Sequence, residues 1–362
     1  MNSKRRSGAG GDHADVLTRL GRPPDLVLSY GDGTDQIADV HLPPERDPAV
    51  SGGGEQVPLI IFLHGGFWRA EYGREHTRPL AGALAEAGFA VCAPEYRRTG
   101  QPGGGWPGTF DDVAAAADLL PSLVAEATSG LVAADRAQAL LAGHSAGGHL
   151  ALWAASRHRL PHESHWHAED TLWRGVVALA AVSDLAGSHR KQLGNGATGE
   201  LMGGGPVLFG DEDRYQEADP SQLLTAGAPV WLVHGMADDN VPYIMTLDYA
   251  RWARAAGARA VEATCVLLPG AGHFAVIDPL SPEWPQVVDA FRRLAGLDGR
   301  GSAPLTGSRT ECPIVYARVA RLPRTLSALV SAPGRPCATR RAPLAQSAER
   351  LHGKEKVYGS IP

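Results

Sequence analysis

Cysteine is scarce in this chain, with four residues in 362. Cys92, Cys265, Cys312 and Cys337 include no C-x-x-C pair, so neither a zinc ribbon nor a dithiol redox motif is indicated. They read as two buried thiols in strand-like runs and two in a tail, in a reducing cytoplasm. Long apolar runs are missing as well. The longest, such as residues 176–182, fall far short of a bilayer span. The basic start MNSKRRSGAGGDHAD has no apolar stretch behind it and does not read as a secretory signal. An excess of positive charge is also absent: 34 Lys+Arg stand against 39 Asp+Glu, a net of −5. That balance gives no electrostatic reason to expect nucleic acid or an anionic membrane as partner.

What is present is an alternation of apolar strands and helices. Residues 1–24 are rich in glycine and charge and read as a flexible segment. "DLVLSYG" and "QIADVHLP" follow as two strands joined by a Gly-Asp-Gly turn, and "VPLIIFLHGG" as a wholly apolar strand ending in glycines. Next come a helix over 74–87, strand "FAVCAPEYR", an Ala-rich helix over 111–127, strand "AQALLAGHS" and a helix over 148–156. Strands "GVVALAAVSD" and "APVWLVHG", a helix over 243–256, strand "VEATCVLLPG" and a helix over 282–294 complete the series. This order predicts an α/β fold over residues 25–298, with a mostly parallel central sheet and helices on both faces.

Beyond it the composition changes. Residues 301–362 hold ten Lys/Arg against three Glu, whereas residues 1–300 hold 24 basic and 36 acidic groups. The 299–362 segment lacks periodicity and reads as a disordered basic tail. Its end, "PLAQSAERLHGKEKVYGSIP", resembles the peptide made when a tRNA gene is translated in frame, and reads as read-through.

"LLAGHSAGGHLAL" (140–152) places Ser145 between glycines where a strand stops and a helix starts. Gly143-His144-Ser145-Ala146-Gly147 matches G-x-S-x-G, a nucleophile on a strained strand-to-helix turn. Side chains two residues before and two after would clash there. A serine hydroxyl needs a base, and the base an orienting acid. "LLPGAGHF" offers His273 after the last strand. "VWLVHGMADDNVP" offers Asp238 as the acid, with Asp239 in the same loop and Asp184 at another strand end as alternatives. "IIFLHGGFWR" ends the first buried strand. Its glycines let the backbone come close, so N–H groups of Gly66 or Phe67 would join that of Ala146 in an oxyanion hole, with His64 packed beneath.

Arg69, Arg97 and Arg98 follow strands at the same end; any could meet a substrate carboxylate, though surface arginines are the commoner outcome. "QPGGGWPGTFDD" and "LMGGGPVLFGDED" read as lid loops rather than phosphate cradles. "HRLPHESHWHAEDTLW" concentrates histidines and carboxylates, but not at the helical spacing of H-E-x-x-H. It reads as a solvated surface, and no metal or organic cofactor is expected.

Together, HGGFW (64–68), GHSAGGHL (143–150), Asp238 and His273 resemble the alpha/beta-hydrolase superfamily over residues 24–298. Within it, H-G-G-x-W and G-H-S-A-G-x-H-L are similar to kynurenine formamidases and to feruloyl-esterase-like hydrolases. The resemblance implies a serine hydrolase that cleaves a small ester or aryl formamide through an acyl-enzyme. N-formyl-kynurenine is the first candidate substrate, and a carboxylesterase or feruloyl-type esterase is the alternative. In the formamidase reading Ser145 carries the formyl group, an arylamine leaves, and Phe67, Trp68 and Trp106 wall an aromatic pocket. A non-catalytic hydrolase scaffold is the reading from another class; the complete Ser145, Asp238 and His273 set argues against it. The expected partner is a small molecule, and no pattern sets the oligomeric state.

Overall fold

The computed structural model describes residues 13–44, 56–169, 173–206, 214–224, 226–256, 263–297 and 314–316. The strands are β1 (Leu26–Ser29), β2 (Ile37–His41), β3 (Leu59–Leu63), β4 (Ala90–Pro94), β5 (Leu140–His144), β6 (Gly175–Leu179), β7 (Val230–Gly235), β8 (Ala263–Leu268) and β9 (Ile314–Tyr316). The helices are α1 (Arg78–Glu86), α2 (Gly108–Ala127), α3 (Ala146–Ala155), α4 (Leu185–Arg190), α5 (Leu193–Met202), α6 (Arg214–Ala218), α7 (Ile244–Ala255) and α8 (Trp284–Ala295).

Among the described residues one sheet runs in the order β1-β2-β4-β3-β5-β6-β7-β8-β9. β2 pairs antiparallel with β1 and β4, and every other pairing is parallel. This is the alpha/beta-hydrolase fold. The chain steps from β3 out to β4 and then returns to place β5 on the other side of β3. The crevice beyond the ends of β3 and β5 is therefore a topological switch point, where open α/β sheets bind their ligands.

The apolar strands are buried on both faces, as their unbroken hydrophobic runs require. Alternate residues serve opposite layers. Ile60, Phe62, Leu140, Ala142, Val177 and Leu179 pack against Leu80 and Leu84 of α1 and Phe291 of α8. Ile61, Leu63, Leu141, Val176 and Ala178 pack against Val113 of α2, Leu150 and Trp153 of α3 and Tyr249 of α7. Each fully buried side chain of this kind contributes about 1.5–3 kcal/mol. Every residue of α3 is buried, in keeping with a helix whose sequence is apolar on all sides.

Two boundaries differ from expectation. Residues 13–24 belong to the fold: Val16 is buried in the core, and His13 and Arg19 pair with the buried carboxylate of Asp278. Apolar burial and a buried ion pair hold what composition alone marks as a loose segment. β9 lies inside the stretch expected to be a disordered tail. Its Ile-Val-Tyr backbone adds to the open edge of β8, from Cys265↔Ile314 to Leu267↔Tyr316, and so satisfies peptide groups that an edge strand leaves unpaired. The rest of 299–362, the tRNA-like end included, lies outside the described residues, as do Cys312 and Cys337. Cys92 and Cys265 are buried thiols. Among the described residues no helix is long and apolar enough to cross a membrane.

Candidate active site

β5 ends at His144, and Ser145 adopts φ 55° and ψ −117°, a conformation that side-chain-bearing residues avoid and that marks stored strain. The surroundings fix it. Ser145 N–H donates to Leu179 O at 2.8 Å, and the Ser145 carbonyl accepts from His149 N–H at 3.1 Å and Val182 N–H at 3.2 Å. Both motif glycines are required by space. A Cβ on Gly143 would lie 2.2 Å from Gly147 O, and one on Gly147 would lie 2.1 Å from Leu63 O. The clash expected from the motif is present at both positions, and Gly147 gives its room to the end of β3.

His273, on the loop after β8, places Nδ1 2.7 Å from Asp238 Oδ2. Asp238 sits on the loop after β7 with its side chain fully buried. Burial alone would raise its pKa, but hydrogen bonds from His234 and His273 outweigh burial and hold the carboxyl well below the usual range. Its second oxygen accepts from the N–H groups of Asn240 at 2.9 Å and Val241 at 2.8 Å. Asp238 is thus a fixed anion, the form that orients an imidazole.

His144 joins this pair to the serine. Its ring lies 4.6 Å from that of His273, and its Nε2 donates to the His273 carbonyl at 3.1 Å. Burial, and then the proximity of His273, push the His144 pKa well down, so this ring is neutral. Residue 144 therefore adjoins Ser145 in sequence and His273 in space. The Ser145 hydroxyl makes no hydrogen bond among the described residues.

Facing the turn is the loop after β3. A Cβ built on Gly65 would be 3.3 Å from Ser145 Cβ, which measures how closely the loop approaches. Gly66, Phe67 and Trp68 follow with φ 116°, 50° and 57°. This left-handed run turns the backbone back over the end of the strand. Among the described residues the N–H groups of Gly66, Phe67 and Ala146 donate to no protein acceptor, as an oxyanion hole requires. Beneath the loop His64 bridges Glu95 Oε1 at 2.7 Å and Gly65 O at 2.8 Å and stacks on Tyr96. Burial would raise Glu95, but His64 and Arg98 outweigh it and bring the carboxyl down to about 2.

The structure reassigns several candidates. Trp68 does not face a pocket: it is 1 % exposed, and its indole N–H donates to His149 Nδ1 at 3.2 Å. Phe67 is left as the half-buried aromatic of the loop. Trp106 is half-buried and packs edge-on against Phe110 and Trp166. Arg69 pairs with Glu200, Arg97 with Asp112, and Arg98 with Asp35 and Glu95, so each guanidinium is already neutralised within the protein. Asp184 caps α4, accepting from Gly187 N–H at 2.6 Å, and Asp239 is exposed; neither reaches the imidazole.

Two residues absent from the sequence-level candidates complete the frame. His234 bonds Thr246 at 2.7 Å and lies 3.1 Å from Asp238. His149 donates from Nε2 to Ala218 O at 2.9 Å while its Nδ1 accepts from Trp68. It thereby ties the glycine loop to α3 and to the end of α6. The signals for both were the histidines of H-G-x-x-D and G-H-S-A-G-x-H-L.

Residues 39–252 match the BD-FAE family. The probable isoprenylcysteine alpha-carbonyl methylesterase of Oryza sativa subsp. japonica is 29% identical over 265 residues, covering 69% of this chain and 58% of that protein. Esterase LipQ of Mycobacterium tuberculosis is 25% identical over 256 residues, covering 68% and 56%. The chain spans about half the length of the curated relatives it matches. Among solved structures, a truncated carbohydrate esterase from gut microbiota aligns with a TM-score of 0.60 at 19% identity, over 76% of this chain and 100% of that one. The propionate-bound esterase Est2 of Thermogutta terrifontis aligns with a TM-score of 0.54 at 20% identity, over 77% and 96%. At such identities these two structures speak for the fold. The formamidase expectation draws no support from these matches. The family match takes in the glycine loop, the Ser145 turn and the Asp238 loop, and covers more than half of the sequence: the chain belongs to the BD-FAE family.

Proposed function

We propose that the protein is a serine carboxylesterase acting on small carboxylic esters, with Ser145 as nucleophile, His273 as base and Asp238 as orienting acid. One observation carries the reading: the His273 ring, tied through Nδ1 to a buried aspartate, stands 4.6 Å from the ring of the residue that precedes the strained serine. Membership of the BD-FAE family and relatives named as esterases favour an ester over a formamide.

Asp238 accepts a hydrogen bond from His273 Nδ1–H, which places the ring's lone pair on Nε2. Nε2 takes the Ser145 Oγ proton as Oγ bonds to the ester carbonyl carbon. The carbonyl oxygen gains the negative charge and is held by the N–H groups of Gly66 or Phe67 and Ala146. When the tetrahedral intermediate collapses, the C–O bond to the alcohol breaks and His273 returns the proton to the leaving oxygen. Water, deprotonated by the same nitrogen, then attacks the acyl carbon; the bond to Oγ breaks, Nε2 returns its proton to Oγ, and the acid leaves.

The test uses the full chain and Ser145→Ala with p-nitrophenyl acetate, p-nitrophenyl butyrate and N-formyl-kynurenine, together with a serine-reactive fluorophosphonate. The expected result is turnover of the nitrophenyl esters and one phosphonyl adduct on Ser145, both lost in the variant. Turnover of N-formyl-kynurenine alone would replace the ester reading with the formamidase one. Neither turnover nor adduct would leave a binding scaffold.

A further inference from the structure

The loop between α3 and β6 holds a cluster that ester chemistry does not use. His162, His167 and Glu169 each bring a ligand-type atom within 4.8 Å of the other two, and the two imidazole rings are 4.4 Å apart. From sequence this stretch reads as a solvated surface, because it lacks a histidine pair one helical turn apart. Turns supply the proximity instead. Ser164 N–H donates to Pro161 O at 3.0 Å and His167 N–H to Ser164 O at 2.9 Å, so the chain reverses twice and carries residue 167 back beside residue 162.

The hydrogen bonds of His167 fix its tautomer. Nδ1 lies 2.9 Å from Leu160 O. A carbonyl can only accept, so Nδ1 bears the proton and Nε2 a lone pair. Nε2 is buried and has no hydrogen-bond partner, an arrangement that is costly unless something else takes the lone pair. An imidazole anchored through one nitrogen to a carbonyl, with the other bare, is how proteins orient histidine toward a metal. The neighbours are engaged elsewhere: His165 pairs with Asp111 and Ser164 with Glu217. Among the described residues the other cluster of comparable tightness, His13, Asp15 and Asp278, is neutralised by Arg19.

We propose that His162, His167 and Glu169 bind a divalent transition-metal ion, and that zinc is the ion their chemistry suits. Two imidazoles and one carboxylate form a zinc-type donor set, whereas calcium and magnesium take oxygen. The ion fastens the loop that carries Trp166, whose buried ring lies 4.7 Å from Trp106 and 5.9 Å from Phe110. It acts as a clamp and does not touch Ser145, so the proposal stands independently of the esterase reading.

Calorimetric titration of the chelator-treated, tag-free full chain with zinc chloride tests it. The expected result is one ion per chain at micromolar affinity, weakened about tenfold or more in His167→Ala and in Glu169→Gln, and unchanged in Ser145→Ala. Zinc raises the Tm of the parent chain and leaves that of His167→Ala where it was. Melting curves without zinc establish that both variants are folded. Absence of a saturable site, or equal affinity in the parent and both variants, overturns the proposal.

Discussion

Two buried histidine–carboxylate pairs flank the Ser145 turn, His64–Glu95 and His273–Asp238. Each has a contact of 2.7 Å, and each histidine stands at or just beyond the end of a parallel strand. They differ in the second nitrogen. His64 Nδ1 is committed to Gly65 O. Both of its ring nitrogens are thus occupied by protein partners, and neither faces Ser145 with an open position. His273 uses one nitrogen on Asp238, and the other is uncommitted among the described residues. Both pairs join a buried histidine to a buried carboxylate, a glutamate in one and an aspartate in the other. The spare nitrogen is what would separate a support from the base proposed above.

Exchanging the two histidines for alanine should break this contrast if it is wrong. His273→Ala is expected to lower ester turnover by about 10⁴–10⁶ with a Tm near that of the parent chain. His64→Ala removes one partner of the buried Glu95 carboxylate, which keeps Arg98 and the Arg74 N–H, and should cost about 1–3 kcal/mol, read as a lower Tm, with the smaller loss of rate. Steady-state kinetics and melting curves on both variants decide it; the reverse pattern would mean the roles are exchanged. Asp238→Asn should lower kcat by about 10⁴, because the imidazole then takes the wrong tautomer, while the exposed neighbour Asp239→Asn stays within about twofold.

The support side of the contrast extends through Trp68. Trp68→Phe removes the donor to His149 and leaves a buried acceptor unpaired, at a cost of about 1–3 kcal/mol. A smaller loss of kcat is expected as the glycine loop loosens, and chemical denaturation read beside kinetics separates the two effects. Asp219 shows what burial does to a carboxyl without a histidine against it. Burial raises its pKa from 3.8 to about 6, against the hydrogen bonds from Ala186 and Ser221. Between those values the folded chain binds more protons than the unfolded one. Stability from this group is therefore present at low pH and falls as pH rises through that window, by up to about 1.4 kcal/mol per pH unit. Asp219→Asn should flatten this stretch of the stability profile in urea melts between pH 4 and 7.

The parallel strands β3 to β8 were legible because each is a largely apolar run with a glycine or polar break after it, whereas the three-residue β9 is too short to stand out from the polar stretch around it. Helix α3 begins two residues before the 148–156 expectation, at the residue following the serine. The stretch that holds α4 and α5 was not legible as helix. Its sequence is Gly-rich and polar with no sustained apolar period, and α5 contains three left-handed residues, Gly194, Asn195 and Gly196. Contacts from outside hold it: Glu200 with Arg69, and Leu201 O with Trp106 N–H. The roles of Phe67 and Trp68 could not be told apart from HGGFW, because two successive left-handed residues remove the alternation by which a strand end is read. Asp184 and Asp238 each follow an apolar strand, and the H-G-x-x-D-x-x-V-P pattern favours Asp238. The structure agrees, with Asp238 2.7 Å from His273 Nδ1 and Asp184 capping α4.

The register of β3 on β5, from Ile60↔Leu140 to Leu63↔Gly143, carries a kinetic consequence. The glycine loop and the Ser145 turn come from segments far apart along the chain and become neighbours only when these two central strands align. A slip by one residue would shift the loop by about 3.3 Å and turn its side chains to the opposite layer. Recovery of esterase rate during refolding should therefore trail the return of helical signal, and so time the moment at which the middle of the sheet closes.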